Sequence, residues 1–216
     1  MMRGRFISIE GGDGVGKSTQ IRLLKQWLEG HDRELVLTRE PGGTPGAEAI
    51  RTLLLNAEGE GWNMRAEALL FAAARSDHVE SLIRPALETG KWVLSDRFVD
   101  SSRAYQGFAG GLGDEMVMQL HQIGSKGFLP NLTLMLHLPA GAGTARARTR
   151  DGGAEDRIGG RESSFHAAVN AAFETIADAE PDRVKRVDAS GDEQQVHRRI
   201  IALVEPLLHD DGGVTS

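Results

Sequence analysis

The sequence predicts an α/β fold: a five-stranded parallel sheet with helices on both of its faces. Two observations predict it. Short apolar runs alternate with segments whose apolar residues recur at helical spacing, from one end of the 216-residue chain to the other. A glycine-rich turn also joins the first apolar run to the first helical segment. The length suits one well-buried core and no long linker divides the chain, so we predict one domain over residues 1–216.

The predicted strands are short and apolar. They comprise residues 6–9, 35–37, 92–94, 132–138 and 184–187. The predicted helices carry apolar residues three and four apart, as Ile21, Leu24 and Leu28 do in the first helix. They comprise approximately residues 17–30, 45–55, 64–87, 114–123, 141–150, 164–179 and 196–207. Pro85 is expected to bend or break the third of these helices, because proline lacks a backbone N–H.

The composition argues against several classes of protein. The formal net charge of −6 argues against a protein that binds nucleic-acid backbones. The absence of cysteine excludes a disulfide framework and a thiolate zinc site, and it fits a cytoplasmic protein. We expect no membrane association, because no apolar run approaches the roughly 18–20 residues of a membrane span and the N-terminus lacks a signal-peptide layout. The polar tail, about residues 210–216, is expected to fray.

Residues 11–18 match the pattern G-x-x-x-x-G-K-[ST] and lie between a predicted strand and a predicted helix. Glycines let successive backbone N–H groups point at phosphate oxygens, and the helix N-terminus adds a partial positive charge. A chance glycine-rich turn is the alternative in a chain with 27 glycines, but the flanking strand and helix favour a phosphate site. The predicted ATP-binding residues are Gly11, Gly12, Gly14, Val15, Gly16, Lys17, Ser18 and Thr19.

This motif alone predicts only nucleoside triphosphate binding, and Asp96 and Arg97 narrow the function. Both stand at the carboxyl end of the third predicted strand, where open parallel sheets bind ligands. Arg97 can bind a second phosphate in a bidentate manner. Asp96 and the Ser18 hydroxyl can hold Mg²⁺. The pattern therefore predicts transfer between two phosphates with Mg²⁺ as the cofactor; the alternative for Asp96 and Arg97 is an exposed salt bridge.

Four segments carry a resemblance to a known family. They are residues 10–19, 38–44 (Thr-Arg-Glu-Pro-Gly-Gly-Thr), 96–107 (which ends Ser-Arg-Ala-Tyr-Gln-Gly) and 156–158 (Asp-Arg-Ile). In order and separation they resemble the bacterial thymidylate kinases over nearly the whole chain. The resemblance implies the three-layer P-loop NTPase fold with a mobile lid. It also implies transfer of the γ-phosphoryl group of ATP to dTMP, and a homodimer.

The resemblance further implies how the sugar and phosphate of dTMP are bound. Asp13 matches a residue that reaches the 3′-hydroxyl group. Arg97 and Arg39 match residues beside the acceptor phosphate. Tyr105 matches a residue whose ring crowds the 2′ carbon and so favours deoxyribose.

For the base, the resemblance implies a thymine-binding helix that carries Phe71 and Arg75. These two residues are four apart and share one helix face, so Phe71 can stack on the pyrimidine while Arg75 donates to a ring carbonyl. Ser102 and Gln106 are expected near the base. Taken without the resemblance, Phe71 is more often an ordinary core aromatic.

A lid is predicted at about residues 146–161, where arginines are flanked by glycines. Arginines delivered by closure stabilise the charge on the transferred phosphoryl group. In one branch of the family a catalytic arginine follows the P-loop acid, where this chain has Gly14, so the lid is expected to supply it from Arg150 or Arg146. A solvated basic helix face is the alternative. The predicted catalytic residues are Lys17, Arg97, Arg150 and Arg146.

The residues leave three other functions open. Another nucleotide or metabolite kinase would share the fold, and a panel of acceptors would distinguish it. An ATP-binding regulatory module would turn over slowly whichever nucleoside monophosphate is added. A nucleic-acid-associated ATPase would be stimulated by DNA, and the net charge of −6 argues against it.

Overall fold

The computed structural model describes residues 4–55, 61–138 and 158–209. Its strands are β1 Phe6–Glu10, β2 Leu35–Arg39, β3 Trp92–Asp96, β4 Leu132–His137 and β5 Val184–Asp188. They form one sheet in the order β2-β3-β1-β4-β5, and every neighbouring pair is parallel. The predicted fold class is therefore confirmed, and each predicted strand exists.

Helices connect the strands and follow the last one. They are α1 Lys17–Glu29, α2 Pro45–Leu55, α3 Met64–His78, α4 Arg84–Glu88, α5 Val99–Ser102, α6 Asp114–Ser125, α7 Ser163–Ala179 and α8 Glu193–His209. Two π-helical segments extend them: Val79–Ile83 joins α3 to α4, and Arg103–Ala109 follows α5. The predicted helix at 141–150, both lid arginines (Arg146 and Arg150) and the tail at 210–216 lie outside the described residues.

The helix predicted at 64–87 is interrupted near Pro85, as expected: a π-helical segment, Val79–Ile83, separates α3 from α4. Because Pro85 has no N–H to donate to the carbonyl four residues earlier, the backbone widens here, and the Arg84 N–H donates to the Val79 carbonyl five residues back. The residues that follow β3 were not predicted to be helical, yet 99–109 form α5 and a π-helical segment.

The strands contribute side chains to cores on both faces of the sheet, since successive residues point in opposite directions. Ile7 and Ile9 of β1 join the core formed with α1 and α8. Phe6 joins a second core on the opposite face, with Phe98 and the π-helical segment after α3. Met135 of β4 joins a third cluster, which packs against α7. Helices therefore cover both faces. None of the helices in the described residues is both long and apolar enough to cross a membrane.

Candidate active site

A glycine-rich loop connects β1 to α1 at the carboxyl edge of the sheet. Gly11 has φ 132°, and a side chain there would also clash with the Leu136 carbonyl oxygen of the neighbouring strand β4. Gly16 precedes α1 in a left-handed conformation with φ 100°. The loop thus needs glycine at both ends to turn from the strand into the helix, and α1 begins with its N-terminus facing the same edge.

Lys17 folds back over this loop. Its Nζ atom donates to the carbonyl oxygens of Gly11 at 3.1 Å and Gly12 at 2.8 Å. Burial, and next the charge of Arg97, lower the pKa of Lys17 to about 8. Ser18 at the following position is exposed. The loop therefore holds a cation and an accessible hydroxyl group beside the backbone N–H groups of the α1 N-terminus, which is a site for a polyphosphate.

Arg97 projects from the end of β3 toward the same loop. Its Nη2 atom lies 2.5 Å from Asp13 Oδ1, and its Nη1 atom donates to the Gly11 carbonyl oxygen at 3.1 Å and to Ser101 Oγ at 3.0 Å. The backbone of Arg97 is left-handed, with φ 68°, a conformation that costs a non-glycine residue about 1 kcal/mol and recurs at functional sites. Although burial opposes it, the charges of Arg97 and Lys17 lower the pKa of the Asp13 carboxyl group.

A cavity of about 150 Å³ opens beside Arg97. Nine of the residues that line it were predicted site residues. These are Asp13, Arg39, Phe71, Arg75, Asp96, Arg97, Ser102, Tyr105 and Gln106. The fold therefore brings together residues from the glycine-rich loop, from the ends of β2 and β3, from α3, and from the helical segment after β3. The cavity meets the phosphate loop at Asp13 and Arg97.

One wall of the cavity is built around Arg75, which is only 2% exposed. Its Nε atom donates to Glu40 Oε2 at 2.7 Å, and its Nη2 atom donates to Ser102 Oγ at 2.7 Å. Phe71 lies one turn earlier on α3 and is half-buried. This wall combines a flat ring with a guanidinium group whose orientation is fixed.

Tyr105 and Gln106, which also line the cavity, come from the π-helical segment. The Arg97 guanidinium lies 5.3 Å from the centre of the Tyr105 ring, and the Tyr105 hydroxyl is 3.5 Å from Arg97 Nη2. Gln106 Nε2 donates to Glu67 Oε1 at 2.8 Å, whereas Gln106 Oε1 is buried and has no hydrogen-bond partner in the described part of the chain. Arg39 stands apart from them at an exposed position, paired with Glu48 at 3.2 Å.

The Asp96 carboxylate shows whether the residues here fit a metal ion. Its Oδ1 atom is buried and finds no hydrogen-bond partner among residues 4–55, 61–138 and 158–209. A buried carboxylate oxygen without a partner is costly unless a ligand or water completes it. Asp96 lines the cavity next to Arg97, and Ser18 is exposed on the loop. These two oxygen donors fit Mg²⁺, which takes few protein ligands and completes its coordination with water and phosphate oxygens.

A second cavity, of about 370 Å³, lies between the glycine-rich loop and the chain after β5. Sequence reasoning found the wall formed by the loop and missed the other wall. The missed residues are Ala189, Gly191, Asp192, Glu193 and Val196, together with Gln20 of α1, which donates to the Glu193 carbonyl oxygen at 2.9 Å. For residues 189–193, the position directly after the carboxyl end of a parallel strand is the signal that could have identified them.

Glu40 and Ser101 of the first cavity were also missed. Glu40 belongs to the quoted Arg-Glu-Pro-Gly-Gly-Thr segment, but its role depends on its contact with Arg75, 35 positions away. Ser101 accepts from Arg97 and donates to Glu10 Oε2 at 2.6 Å. Both roles arise from tertiary contacts, which periodicity does not reveal.

Comparisons of the sequence and the structure with known proteins all match the same family. The family model described as thymidylate kinase matches residues 9–200. The chain is 51% identical to a thymidylate kinase from Rhizorhabdus wittichii. The 207 aligned residues cover 96% of this chain and all of the relative. It is 47% identical to a thymidylate kinase from Rhodopseudomonas palustris, over 95% of this chain and 92% of that protein. The crystal structure of thymidylate kinase from Ehrlichia chaffeensis superposes with a TM-score of 0.77 at 29% identity, over 94% of this chain and 99% of that one.

Proposed function

Because this chain belongs to the thymidylate kinase family, and is thus a nucleoside monophosphate kinase, we propose that it transfers the γ-phosphoryl group of ATP to dTMP, giving dTDP and ADP. One observation carries the assignment of the reaction to this site. The glycine-rich loop and the first cavity meet at Arg97, which contacts Asp13 and the Gly11 carbonyl of the loop and lines the cavity. A phosphate donor and a phosphate acceptor bound on the two sides would meet at this guanidinium group.

ATP binds with its phosphates in the glycine-rich loop. The N–H groups of the loop and of the α1 N-terminus bind the phosphate oxygens, and Lys17 releases its carbonyl partners to neutralise the β- and γ-phosphates. The second cavity, between the loop and residues 189–193, takes the purine base.

dTMP binds in the first cavity. Phe71 stacks on the pyrimidine, and Arg75, which has only donors, binds a ring carbonyl. Asp13 accepts from the 3′-hydroxyl group, for which its exposed carboxylate remains accessible beside Arg97. The buried Tyr105 ring fills the space next to the sugar and disfavours a 2′-hydroxyl group. Ser102 and Gln106 complete the side nearest the base, and Arg39 joins Arg97 at the acceptor phosphate.

In the reaction, an oxygen of the dTMP phosphate attacks the γ-phosphorus of ATP. A new P–O bond forms as the bond from the γ-phosphorus to the β,γ-bridging oxygen breaks, and ADP leaves with that electron pair. The acceptor is already ionised near neutral pH, so no strong general base is required. Arg97 and Lys17 position the phosphates and neutralise charge, and a lid arginine, Arg150 or Arg146, is proposed to do the same for the transferred group.

Mg²⁺ is proposed as the cofactor, held by Ser18 and Asp96. When bound, it would neutralise the charge of the phosphates. The unpartnered Asp96 Oδ1 supports this assignment. Asp96 is the last residue of β3, and its pairing with Ile9 of β1 fixes its position relative to the glycine-rich loop.

A homodimer is part of the same proposal. Large apolar side chains are exposed on three helices, and α3 packs against both of the others, α2 and α6. They are Leu53, Leu69, Met116 and Ile123. Large exposed apolar side chains on helices that pack together support the proposal of a protein–protein interface. The cytoplasmic location expected from the cysteine-free composition remains a prediction, which cell fractionation tests.

The test is a coupled ADP-release assay with ATP, Mg²⁺ and the acceptors dTMP, dUMP, UMP, dCMP, AMP, GMP and shikimate. We expect strong turnover with dTMP, weaker turnover with dUMP and little with the rest. Lys17→Ala should lose most of this turnover while its thermal unfolding stays cooperative, because the cation that neutralises the phosphates is gone. Turnover with another acceptor would leave the phosphate chemistry intact and reject dTMP. ADP release that no acceptor stimulates would reject the kinase assignment.

A further inference from the structure

Glu40 is a buried acid that the proposed reaction does not use. It directly follows β2 and is 6% exposed. Its backbone N–H donates to the Asp96 carbonyl oxygen at 2.9 Å, which fixes the residue against the end of β3. A buried carboxylate is costly unless it is paired and hydrogen-bonded, so its retention next to a ligand cavity requires partners.

Both oxygens of Glu40 have partners on α3. Oε2 accepts from Arg75 Nε at 2.7 Å, and Oε1 lies 3.0 Å from His78 Nδ1. His78 is fully buried, and its Nε2 atom lies 2.6 Å from Thr38 Oγ1 of β2. The carboxylate acts as an acceptor only, so the Nδ1 atom of His78 carries the proton that faces it. Glu40 is therefore locked in place by His78 and presents one oxygen to Arg75.

This contact leaves Arg75 with one orientation. Its Nε atom is bound by Glu40 and its Nη2 atom by Ser102, and the guanidinium plane lies 5.5 Å from the centre of the Phe98 ring. Held by these contacts, Arg75 lines the cavity. Glu40 also neutralises the charge of Arg75, so the wall offers a fixed donor without a free positive charge.

We propose that Glu40 is a positioning residue that acts through Arg75 and makes the cavity selective for a pyrimidine with a ring carbonyl at position 4. This inference rests on the proposed function. A fixed guanidinium donor fits a carbonyl oxygen, whereas the 4-amino group of cytosine would place a donor against a donor. Without Glu40 the guanidinium group can rotate away from the base and pair with the nearby phosphates. The cavity then binds the base less tightly and no longer selects a carbonyl at position 4.

The first test measures Glu40→Gln with dTMP and dCMP as acceptors. The KM for dTMP should rise by roughly 10- to 100-fold while the KM for ATP changes by less than about twofold, because only the acceptor side is affected. The ratio of kcat/KM values for dTMP over dCMP should fall. The matched control is Glu29→Gln, which removes an exposed carboxylate paired with Lys25 on α1. It should leave both KM values unchanged.

A double-mutant cycle tests whether Glu40 acts by positioning Arg75 or by a separate structural effect. If Glu40 acts through Arg75, adding Glu40→Gln to Arg75→Met should raise the KM for dTMP little further, so the two effects are strongly non-additive. Additive effects, equal increases in the KM for ATP and dTMP, or an unchanged dTMP-to-dCMP ratio would each overturn the inference.

A second variant keeps the inference testable if Glu40→Gln does not fold. Glu40→Asp keeps the charge and withdraws the carboxylate by one methylene group, so it should fold and still weaken dTMP binding selectively. Failure of the proposed function gives a different result, since the wild-type enzyme would then show no dTMP-dependent ADP release. An active wild type with an unaffected Glu40→Asp variant would reject only the positioning role.

Discussion

At the scale of single residues, Glu10 links the interior of the sheet to the active site. It ends β1 and is completely buried. Its Oε1 atom accepts from the Phe98 N–H at 2.7 Å and its Oε2 atom accepts from Ser101 Oγ, which in turn accepts from Arg97. Burial, and next the negative charge of Asp100, raise the pKa of Glu10 from 4.5 to about 8.

This pKa gives a pH-dependent stability. The folded chain holds the Glu10 proton more tightly than the unfolded chain, so the stabilisation is complete below pH 4.5 and is lost as the pH rises to about 8. Glu10→Gln cannot ionise. Its stability relative to wild type should therefore improve by on the order of a few kcal/mol between those pH values and then remain constant.

Urea unfolding of both proteins at about pH 5, 6, 7, 8 and 9 measures the difference. Glu29→Gln, at an exposed position on α1, is the control and should run parallel to wild type throughout. A Glu10→Gln difference that is the same at every pH would show that Glu10 is ionised in the folded protein over this range.

At the scale of elements, the sequence was informative where the cause of structure is local. The apolar runs of β1, β3 and β4 and the glycine-rich loop were predictable because side-chain pattern and backbone freedom decide them. The helical segment after β3 was missed because several of its buried side chains are polar. Arg103, for example, is bound by Asp114 at 2.7 Å and by Glu180 at 2.5 Å, and these partners lie 11 and 77 positions away.

The same reason explains which parts of the site were predictable. Residues that recur in short motifs, such as Lys17 and Arg97, were identified from the sequence. The wall formed by residues 189–193 was not, since its residue types do not indicate a ligand and the fold brings it to the glycine-rich loop. Glu40 was visible in a motif, but its contact with Arg75 was not.

The segment after β5 supports a prediction about ATP. Arg199 of α8 donates through Nη1 to the carbonyl oxygens of Asp188 at 2.6 Å and Ser190 at 2.7 Å, which braces the wall of the second cavity. Arg199→Met should raise the KM for ATP by roughly 5- to 20-fold and leave the KM for dTMP unchanged, because two charge-assisted hydrogen bonds to that wall are lost.

Steady-state kinetics with each substrate varied in turn provides the measurement. Arg198→Met is the matched control, since Arg198 is the exposed neighbour on the same helix. Equal effects of the two variants on the KM for ATP would show that the loss of a positive charge on α8 is the cause. A wild-type KM for ATP in Arg199→Met would show that residues 189–193 keep their position without the hydrogen bonds from Arg199.

At the scale of the whole molecule, the proposed dimer surface and the active site share a helix. Leu69 is 56% exposed on α3, and Ile123 is 81% exposed on α6, which packs against α3. The same helix carries Phe71 and Arg75 on the side that lines the first cavity. An interface on this surface would thus support, from behind, the wall that is proposed to bind the base.

Charges placed on that surface should separate the subunits. In Leu69→Glu/Ile123→Glu, two carboxylates from each subunit would be buried without partners, a cost large enough to dissociate a dimer at micromolar concentration. Sedimentation velocity should then show a monomer in place of the wild-type dimer. Because α3 loses its support, the KM for dTMP should rise more than the KM for ATP. Leu37→Glu, at an exposed apolar position of the edge strand β2, is the control and should remain dimeric. A wild type that sediments as a monomer, or a double variant that stays dimeric, would place the interface elsewhere and separate the base-binding wall from assembly.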